Sequence, residues 1–494
     1  MSTDRNMSST ESQVRPASLD PVHGSGEDPD QSRVQVSVYS RLKPLQKRIV
    51  TGIAAVCGFL AQMSTTSVLA AVPEIVSTFE TSATVINISN AVYLTFMGLS
   101  AFIWGPYADI FGRRPAYLSS VALFSVFTIG TALAPQLEVF FLFRALTAFQ
   151  GTAFLILGST CISDIYHPTE RATSLGWFLS GVAFGPAFGP VLGGIVVTYT
   201  TWRVIFWIQA SFALLALPFI YFALPETHHQ LRVSELQGLG FGEKISKLWN
   251  WGNPTKVVKV YGNKNLLLVF LASSSLVWNM YALLTPIRYV LNPRFHLTTP
   301  LQSGLLYLVP GAGYLVGSQI GGRWADWTVN KWIQKRGFRL PEDRLRSCLI
   351  FLAFMLPGSM VMYGWTLDKR IGGIPLPVVC MFFQGVAQMG AFPSLNSYIF
   401  DVIQHSQSGG SSGEYPPWRI CEEPGLTLKA GHYLMRYLIA GLSTAVCLPL
   451  IETIGVGWSS TLSGGIQFVC AGLVYLTIRL GETWRKGHQL PIPL

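Results

Sequence analysis

Charged residues are scarce in this chain. Only 12% of its 494 residues are charged, whereas 50% are hydrophobic. A soluble globular domain carries about 25% charged residues, so most of the surface is expected to face lipid. The net charge of +10 does not indicate a nucleic-acid partner, because the basic residues lie in short stretches between apolar runs and form no basic domain.

The motifs of enzymes and ATP-driven transporters are also missing. The seven cysteines have no metal-ligand spacing, and most lie in apolar runs, so we interpret them as small core residues. There is no P-loop, and nothing groups the Ser, His and Asp residues as an intramembrane hydrolase would need. We therefore expect no enzyme activity, no cofactor and no metal.

Long apolar runs are what the sequence has. A bilayer core about 30 Å thick needs roughly 20 mainly apolar residues per helix, and twelve such runs lie between residues 49 and 480. The pattern predicts an all-α membrane protein of about twelve transmembrane helices in two pseudo-symmetric six-helix bundles. The expected divisions are a disordered cytoplasmic tail (1–45), a first bundle (46–224), a cytoplasmic linker (225–262), a second bundle (263–484) and a short cytoplasmic tail (485–494).

The loops between the runs differ in basic charge. One set is rich in Lys and Arg, and the other is nearly free of them, with exceptions at Arg203, Arg288, Arg294, Lys369 and Arg370. Basic loops stay on the cytoplasmic side, so both termini are predicted to be cytoplasmic. The expected location is the plasma membrane, with a vacuolar or other organelle membrane as the alternative.

The two halves of the chain repeat a short motif. Gly105-Pro-Tyr-Ala-Asp109 ends the second run, and Gly322-Arg-Trp-Ala-Asp326 ends the eighth. Matching motifs at matching places indicate an internal repeat. Transporters built from repeats bind substrate near the membrane midplane, where the halves meet.

The strongest local motif is Gly105-x-x-x-Asp109-x-x-Gly112-Arg113-Arg114. Its glycines allow a tight turn and a close helix approach. The carboxylate and guanidinium groups can form a charge-assisted network that locks one domain against the other. The alternative is a basic cytoplasmic loop with a turn.

These residues resemble the signature of the major facilitator superfamily between its second and third spans. Ile110 stands where the family often has a basic residue, which makes the network smaller. Asp164, Glu170 and Arg171 resemble the family motif at the cytoplasmic end of the fourth span. Together with Asp326, these residues are expected to form a conformational gate.

The fifth run carries a glycine- and proline-rich motif. Glycines four apart lie on one helix face and admit another backbone, and prolines bend the helix. Helix packing alone accounts for most of this physically. The motif also resembles the antiporter motif that separates exporters of the superfamily from its uptake carriers, and this resemblance favours efflux. Its residues are Gly181, Gly185, Pro186, Gly189, Pro190, Gly193 and Gly194.

Arg144 lies several residues inside the fourth run. A guanidinium there is costly unless it faces a polar cavity or a partner; the alternative is a side chain that reaches the outer interface. Arg144 matches the family's fourth-span arginine, which is linked to proton transfer, although Thr147 stands where close relatives often have Gln.

No histidine, aspartate or glutamate lies in the middle of a run, and Arg436 is the other intramembrane charge. A buried cation needs a counter-charge, so the substrate is expected to be an anion or a neutral amphiphile. Helix packing is an equal alternative for each candidate cavity residue: Gln62, Asn90, Asn279, Tyr281, Gln384, Gln388, Asn396, Trp177, Phe178 and Trp278.

One segment departs from the pattern. In the fungal sequences that this chain resembles, a Ser-rich helix start runs almost directly into the equivalent of 432–436, so that 414–430 is additional. The codons of 413–415, 426–427 and 430–431 can supply a splice donor, a branch site and an acceptor. One hypothesis is a retained intron, and a genuine flexible loop is the equal alternative.

The resemblance covers roughly 45–485. It implies a monomeric secondary transporter that exports a small organic molecule (an organic acid, a toxin or other secondary metabolite, or a drug) by proton antiport through alternating access. The implied partners are the lipid bilayer, the small-molecule substrate and protons. The alternatives are a proton-coupled uptake carrier for a nutrient, a non-transporting receptor on the same scaffold, and a channel.

Overall fold

The computed structural model describes residues 42–166, 168–227, 238–251, 253–297, 299–337, 340–408 and 423–487. All regular structure in these ranges is helical. Ten of the helices are long and apolar enough to cross a membrane.

The first half contains six spanning helices. Pro44 begins the first of them, where a proline's missing N–H costs nothing. Gly112 separates the second and third in a backbone conformation with φ of +103° that favours glycine. The bounds are α1 Pro44–Ala70, α2 Ala83–Phe111, α3 Arg113–Leu133, α4 Leu137–Ile165, α5 Pro168–Tyr199 and α6 Arg203–Ala223.

The second half contains the other six. The long helical element Glu423–Gly487 is broken at Gly455, whose φ is +82° and ψ is 168°. Its apolar part spans 57 residues, or about 85 Å at 1.5 Å per residue, which is far too long for one crossing. We therefore divide it into α11 (423–454) and α12 (456–487). The others are α7 Lys264–Phe295, α8 Leu308–Arg336, α9 Glu342–Asp368 and α10 Pro375–Ser408.

α8 is not among the ten apolar helices. Five glycines and several charged residues near its end lower its hydropathy. It nevertheless packs along α10, where a Cβ added at Gly321 would lie 2.7 Å from the Cα of Gly390. With α8 counted and the long element divided, the described residues form twelve spanning helices, which confirms the predicted architecture.

The helix pairings repeat between the halves. In the first half α1 packs on α5, α2 on α4, and α3 on α6; in the second α7 packs on α11, α8 on α10, and α9 on α12. The halves meet where α2 packs on α11 and where α5 packs on α8. Adding six to each helix number of the first half gives the helix pairs of the second half. The internal repeat predicted from the motifs therefore extends to the way in which the helices pack.

Successive spanning helices run in opposite directions, so the bundle has two ends, named here the Arg113 end and the Glu74 end. The Arg113 end carries the start of α1 and the α2–α3 turn. The Glu74 end carries the finish of α1 and the short helix Val72–Phe79 that follows it. Between the halves, the short helices Phe241–Trp251 and Pro254–Val260 lie in the range predicted as a linker.

The additional segment is described only in part. Residues 414–422 lie outside the described residues, whereas 423–430 form the beginning of α11, with Leu428 and Ala430 buried. Ala430 packs in a small cluster with Ala101, Ile156 and Val257. The retained intron stays a hypothesis.

Candidate transport site

The gate residues at the Arg113 end converge on Arg113. Its side chain is only 4% exposed, its Nη1 lies 2.6 Å from Oδ1 of Asp109, and its Nε lies 3.3 Å from Oδ2 of Asp164. These contacts join the ends of α2, α3 and α4. Gly105 is buried one turn before Asp109. An arginine shared by two carboxylates is a charge-assisted network, and Ile110 is buried beside it. The predicted lock between the two domains is not seen in these contacts, because all of the helices that they join belong to the first half.

Glu226 belongs to this network and was missed by sequence reasoning. Its carboxylate oxygens accept the backbone N–H groups of Arg113, at 2.9 Å, and of Arg114, at 3.2 Å. A carboxylate at these first amides of α3 satisfies unpaired donors and complements the helix dipole. The guanidinium of Arg114 lies 5.1 Å from the ring of Tyr221. The available signal was an acidic residue directly after α6, close to a basic loop.

Among the described residues, Asp326 does not join this network, and it is exposed and makes no ion pair. The side chains of Glu170 and Arg171 lie outside the described residues. In the second half, the fully buried Asp343 instead lies 2.9 Å from Nη2 of Arg336. The Gly-x-x-x-Asp motif repeats in the second half, but the buried carboxylate there is Asp343, which lies after the end of α8, and not Asp326 of the motif itself.

At the Glu74 end an ion pair joins the two halves. Nη2 of Arg288 on α7 lies 2.8 Å from Oε1 of Glu74, and Nη1 donates to the carbonyl of Ala70 at 2.6 Å. The amide of Leu301 also donates to the hydroxyl of Thr198 at 3.1 Å. Arg288 stood out in the sequence only as an exception to the charge pattern of the loops.

Arg144 is buried in the first half, with 1% exposure. Nη2 donates to Oδ1 of Asn90 at 2.7 Å, and the ring centroid of Tyr93 lies 4.7 Å from the guanidinium carbon. Nε and Nη1 have no hydrogen-bond partner among the described residues, and no carboxylate pairs with this arginine there. It lies seven residues from the start of α4, about 10 Å from the Glu74 end.

A hydrogen bond joins the halves near the centre. Nε2 of Gln62 on α1 donates to the Tyr437 hydroxyl on α11 at 2.8 Å, and both side chains are buried. The adjacent Arg436 is half-buried, with its guanidinium 4.4 Å from the ring centroid of Phe392 and 5.5 Å from that of Tyr437. Gln62, Asn90, Arg144 and Arg436 therefore gather around Tyr93 and Tyr437, two residues that sequence reasoning did not select.

The remaining candidates hold individual helices together. Nδ2 of Asn279 donates to Oε1 of Gln467 at 3.1 Å, which joins α7 to α12, and Gln384 donates to Gln388 at 2.9 Å within α10. The hydroxyl of Ser463 accepts from Nε1 of Trp278 at 3.1 Å. Two further candidates are buried or half-buried in the second half: Tyr281 and Asn396.

Two aromatic candidates lie away from the cluster. Trp177 is 71% exposed, so it does not belong to the buried cluster. Phe178 is buried against Gly58 and Gly158, in the packing of the first half.

The glycines of α5 face α1. A Cβ at Gly181 would lie 2.7 Å from the Ala55 carbonyl oxygen, and one at Gly189 would lie 3.0 Å from that of Met63. Gly185 and Gly193 make equally close approaches to α1, whereas Gly194 faces Pro300 of the second half. Pro186 and Pro190 lie within the helix, and the Pro190 carbonyl approaches Gly304.

Among the described residues, no group of three or more His, Cys, Asp or Glu side chains is arranged to hold a metal ion. The site is thus a buried polar and aromatic cluster where two six-helix repeats meet, flanked by ionic contacts at both ends. Such an arrangement defines a membrane transporter of the repeat-built class.

Comparison with known proteins specifies the family. A family model described as Major Facilitator Superfamily matches residues 54–415. The chain therefore belongs to the major facilitator superfamily.

Its curated relatives are fungal transporters. The chain is 24% identical to the MFS-type transporter tstD of Talaromyces stipitatus, covering 91% of this chain and 84% of that one. It is 22% identical to the MFS antiporter QDR3 of Candida albicans, over 90% of this chain and 79% of the relative. It is 25% identical to dityrosine transporter 1 of Saccharomyces cerevisiae, over 89% and 81%.

Solved structures share the fold. The human organic anion transporter MFSD10 aligns over 88% of this chain and 100% of its own, with a TM-score of 0.61 and 16% identity. The xylose transporter XylE from E. coli aligns over 87% and 97%, with a TM-score of 0.61 and 14% identity.

Proposed function

We propose that this membrane transporter exports a small organic molecule (an organic acid, a secondary metabolite or a drug) by proton antiport through alternating access. The observation that carries the proposal is the buried hydrogen bond between Gln62 and Tyr437. It lies where the halves meet and between two guanidinium groups, so a substrate passing through the centre must displace it. The protein is expected to work as a monomer.

Alternating access requires contacts that form at one end while they break at the other. One candidate is the Arg288–Glu74 ion pair, which crosses between the halves. The other is the Arg113 network at the opposite end, whose described contacts join helix ends within the first half. We propose that the Arg113 end faces the cytoplasm, as the basic loops predict. Opening and closing then follow from the two six-helix halves rocking about the central cluster.

The direction of transport rests on α5 and on the relatives. The glycine–proline motif of α5 resembles that of antiporters, and the Candida albicans relative is named an antiporter. The fold by itself supports no direction, since a solved protein with the same fold is described as a proton:xylose symporter. Uptake of a nutrient is therefore the alternative that the experiment must separate from export.

The proton step needs a group that titrates. An arginine stays protonated in proteins, so Arg144 sets the charge of the site and does not itself carry the proton. Among the described residues the carboxylates lie toward the helix ends, as Glu74, Asp109 and Asp164 do. We propose that proton coupling uses carboxylates at these ends, where they alternate between an arginine partner and water.

The test is transport in liposomes that contain the purified chain and a pH-sensitive dye. Cargo would come from a metabolite panel screened first against a strain that lacks the gene. Export by antiport predicts that an imposed proton gradient drives substrate in the opposite direction to the protons. Substrate movement in the same direction as the protons would establish uptake, and an absence of any flux would leave the receptor alternative.

A matched pair of variants tests the gate. Asp109→Asn removes the negative charge of the carboxylate whose Oδ1 lies 2.6 Å from Nη1 of Arg113. This variant is expected to insert normally into the membrane and to lose transport. Asp326→Asn makes the same change at the exposed counterpart in the second repeat and is expected to leave transport within about twofold. Equal effects of the two substitutions would contradict the assignment. Arg144→Ala is expected to abolish transport as well.

A further inference from the structure

In the described part of the chain, the central cluster of the bundle holds positive charge and no carboxylate. Among the described residues, Arg144 and Arg436 are the charged side chains that approach the central cluster, and the carboxylates lie toward the helix ends. A buried charge is costly unless another group compensates it. For Arg144, the protein supplies one amide oxygen, from Asn90.

The unused donors need an acceptor that the protein does not provide. Nε and Nη1 of Arg144 and Nε of Arg436 are buried atoms without a hydrogen-bond partner in the described structure. Nearby rings do not meet this need, because a ring face attracts the guanidinium plane while the N–H groups point outward in that plane. A carboxylate is an acceptor that forms strong, charge-assisted hydrogen bonds with such N–H groups.

Aromatic rings surround both guanidinium groups. Tyr93, Phe140 and Phe206 have ring centroids 4.7, 5.7 and 5.8 Å from the guanidinium carbon of Arg144. Phe392, Tyr433 and Tyr437 lie 4.4, 5.8 and 5.5 Å from that of Arg436. Each cation is therefore set among flat apolar surfaces that can also contact the body of an aromatic molecule.

The two cations lie at different depths. Arg144 donates to Asn90 of α2. Arg436 is next to Tyr437, which packs against Gly98, also on α2. Asn90 and Gly98 are eight residues apart, so at 1.5 Å per residue the two cations differ by about 12 Å along the bundle. The Gln62–Tyr437 hydrogen bond lies between them, with Tyr437 next to Arg436 and Gln62 on the opposing helix.

We propose that the transported molecule is an aromatic organic anion whose carboxylate binds Arg436 and Arg144 in turn. Arg436 receives the carboxylate from the Arg113 end, and the Gln62–Tyr437 bond then opens to admit it to Arg144. This inference rests on the proposed transport function and assigns its substrate class. Arg436 becomes a binding residue for the anion, and Tyr93 and Tyr437 contact the aromatic body.

The test uses three probes of one shape and different charge: 3-phenylpropanoate, 3-phenylpropanamide and 3-phenylpropylamine. Binding to the detergent-solubilised full chain is measured by isothermal titration calorimetry at pH 7.4, where the three are an anion, a neutral amide and a cation. We expect the anion to bind at least tenfold more tightly than the amide, and the amine to bind most weakly. Equal or tighter binding of the amide or the amine overturns the proposal, and so does a failure of the anion to bind.

Variants locate the preference. Arg436→Gln is expected to bring the anion and the amide to within about twofold of each other, whereas Arg436→Lys keeps part of the preference because it keeps the charge. Arg203→Gln is the matched control: this arginine lies at the Glu74 end, 3.1 Å from the Ala134 carbonyl oxygen, and its loss lowers the net charge equally. A preference that survives both Arg436→Gln and Arg144→Gln overturns the proposal, as does one that Arg203→Gln removes.

Counterflow of the same probes in liposomes separates the substrate class from transport itself. Exchange of the amine or the amide without exchange of the anion would overturn the anion assignment and leave a transporter. Binding of the anion with the expected preference but no exchange of any probe would support the anion site and refute transport.

Discussion

The ion pair between Arg288 and Glu74 holds the two halves together at the Glu74 end, and Arg288→Gln would break it. Arg288 is 8% exposed and also donates to the Ala70 carbonyl. Removing one partner of a fully buried ion pair costs about 3–5 kcal/mol. Because the Glu74 side chain is 30% exposed, water recovers part of this, and we take about 2 kcal/mol. That energy shifts the equilibrium between closed and open ends by roughly 30-fold.

The shift can be measured with spin labels on the same end. Tyr199 in the first half and Ile371 in the second are both exposed there and can be replaced by labelled cysteines. Double electron–electron resonance should show a longer-distance population that grows in Arg288→Gln. If Arg288→Gln and the protein that keeps Arg288 give the same distance distribution, the ion pair does not restrain this end.

Two controls make the result specific. Arg294→Gln removes another arginine of α7, but its contact is with the Leu367 carbonyl at 2.7 Å, within the same half, so the distance distribution should not change. Glu74→Gln should widen the distances as Arg288→Gln does, and the double variant should add little to either. Additive effects would mean that the two side chains act separately.

Three further changes test the packing and the site. Gly185→Ala should lower the thermal midpoint of unfolding by several degrees, because the added Cβ would lie 2.9 Å from the backbone nitrogen of Met63. The control is Gly176→Ala on the same helix. Its Cβ would meet no atom within 4 Å, so the midpoint should be unchanged or raised. Glu226→Gln should cost about 1 kcal/mol in chemical unfolding, since the charge at the first amides of α3 is lost, and no change would remove it from the network. Tyr437→Phe loses the hydrogen bond to Gln62. Because such a bond contributes about 1 kcal/mol, the transport rate or the population of the open state should rise by a few-fold. Unchanged flux and conformation would argue against a central barrier.

The helices were largely predictable because a spanning helix is encoded locally, by about 20 apolar residues. Even α8 was predicted as an apolar run, although its glycines and charged end weaken its hydropathy. The break at Gly455 was also anticipated as a loop between two runs. Hydropathy is less informative about helix ends. The tenth apolar run is predicted near 374–399, whereas α10 reaches Ser408, because polar residues continue a helix once it leaves the apolar layer.

The gate was predictable in part. Asp109 and Arg113 are close in the chain, so their pairing follows from a short turn, whereas Asp164 reaches the same arginine from another helix end. Glu226 left only a weak signal, an acidic residue near a basic loop, because it binds backbone N–H groups, which are not specific to any residue type. Asp326 illustrates the opposite problem, since a repeated motif does not ensure a repeated contact when the surrounding loops differ.

The sequence by itself determined the number of spanning helices, their repeat and the scarcity of charge within them, since these properties depend on the order of apolar and polar residues along one chain. Only the tertiary structure decided which polar groups meet. Gln62 and Tyr437 are 375 residues apart, and their contact depends on the rotation and relative height of α1 and α11. Those two quantities are determined by side-chain packing across both halves, which no local pattern records.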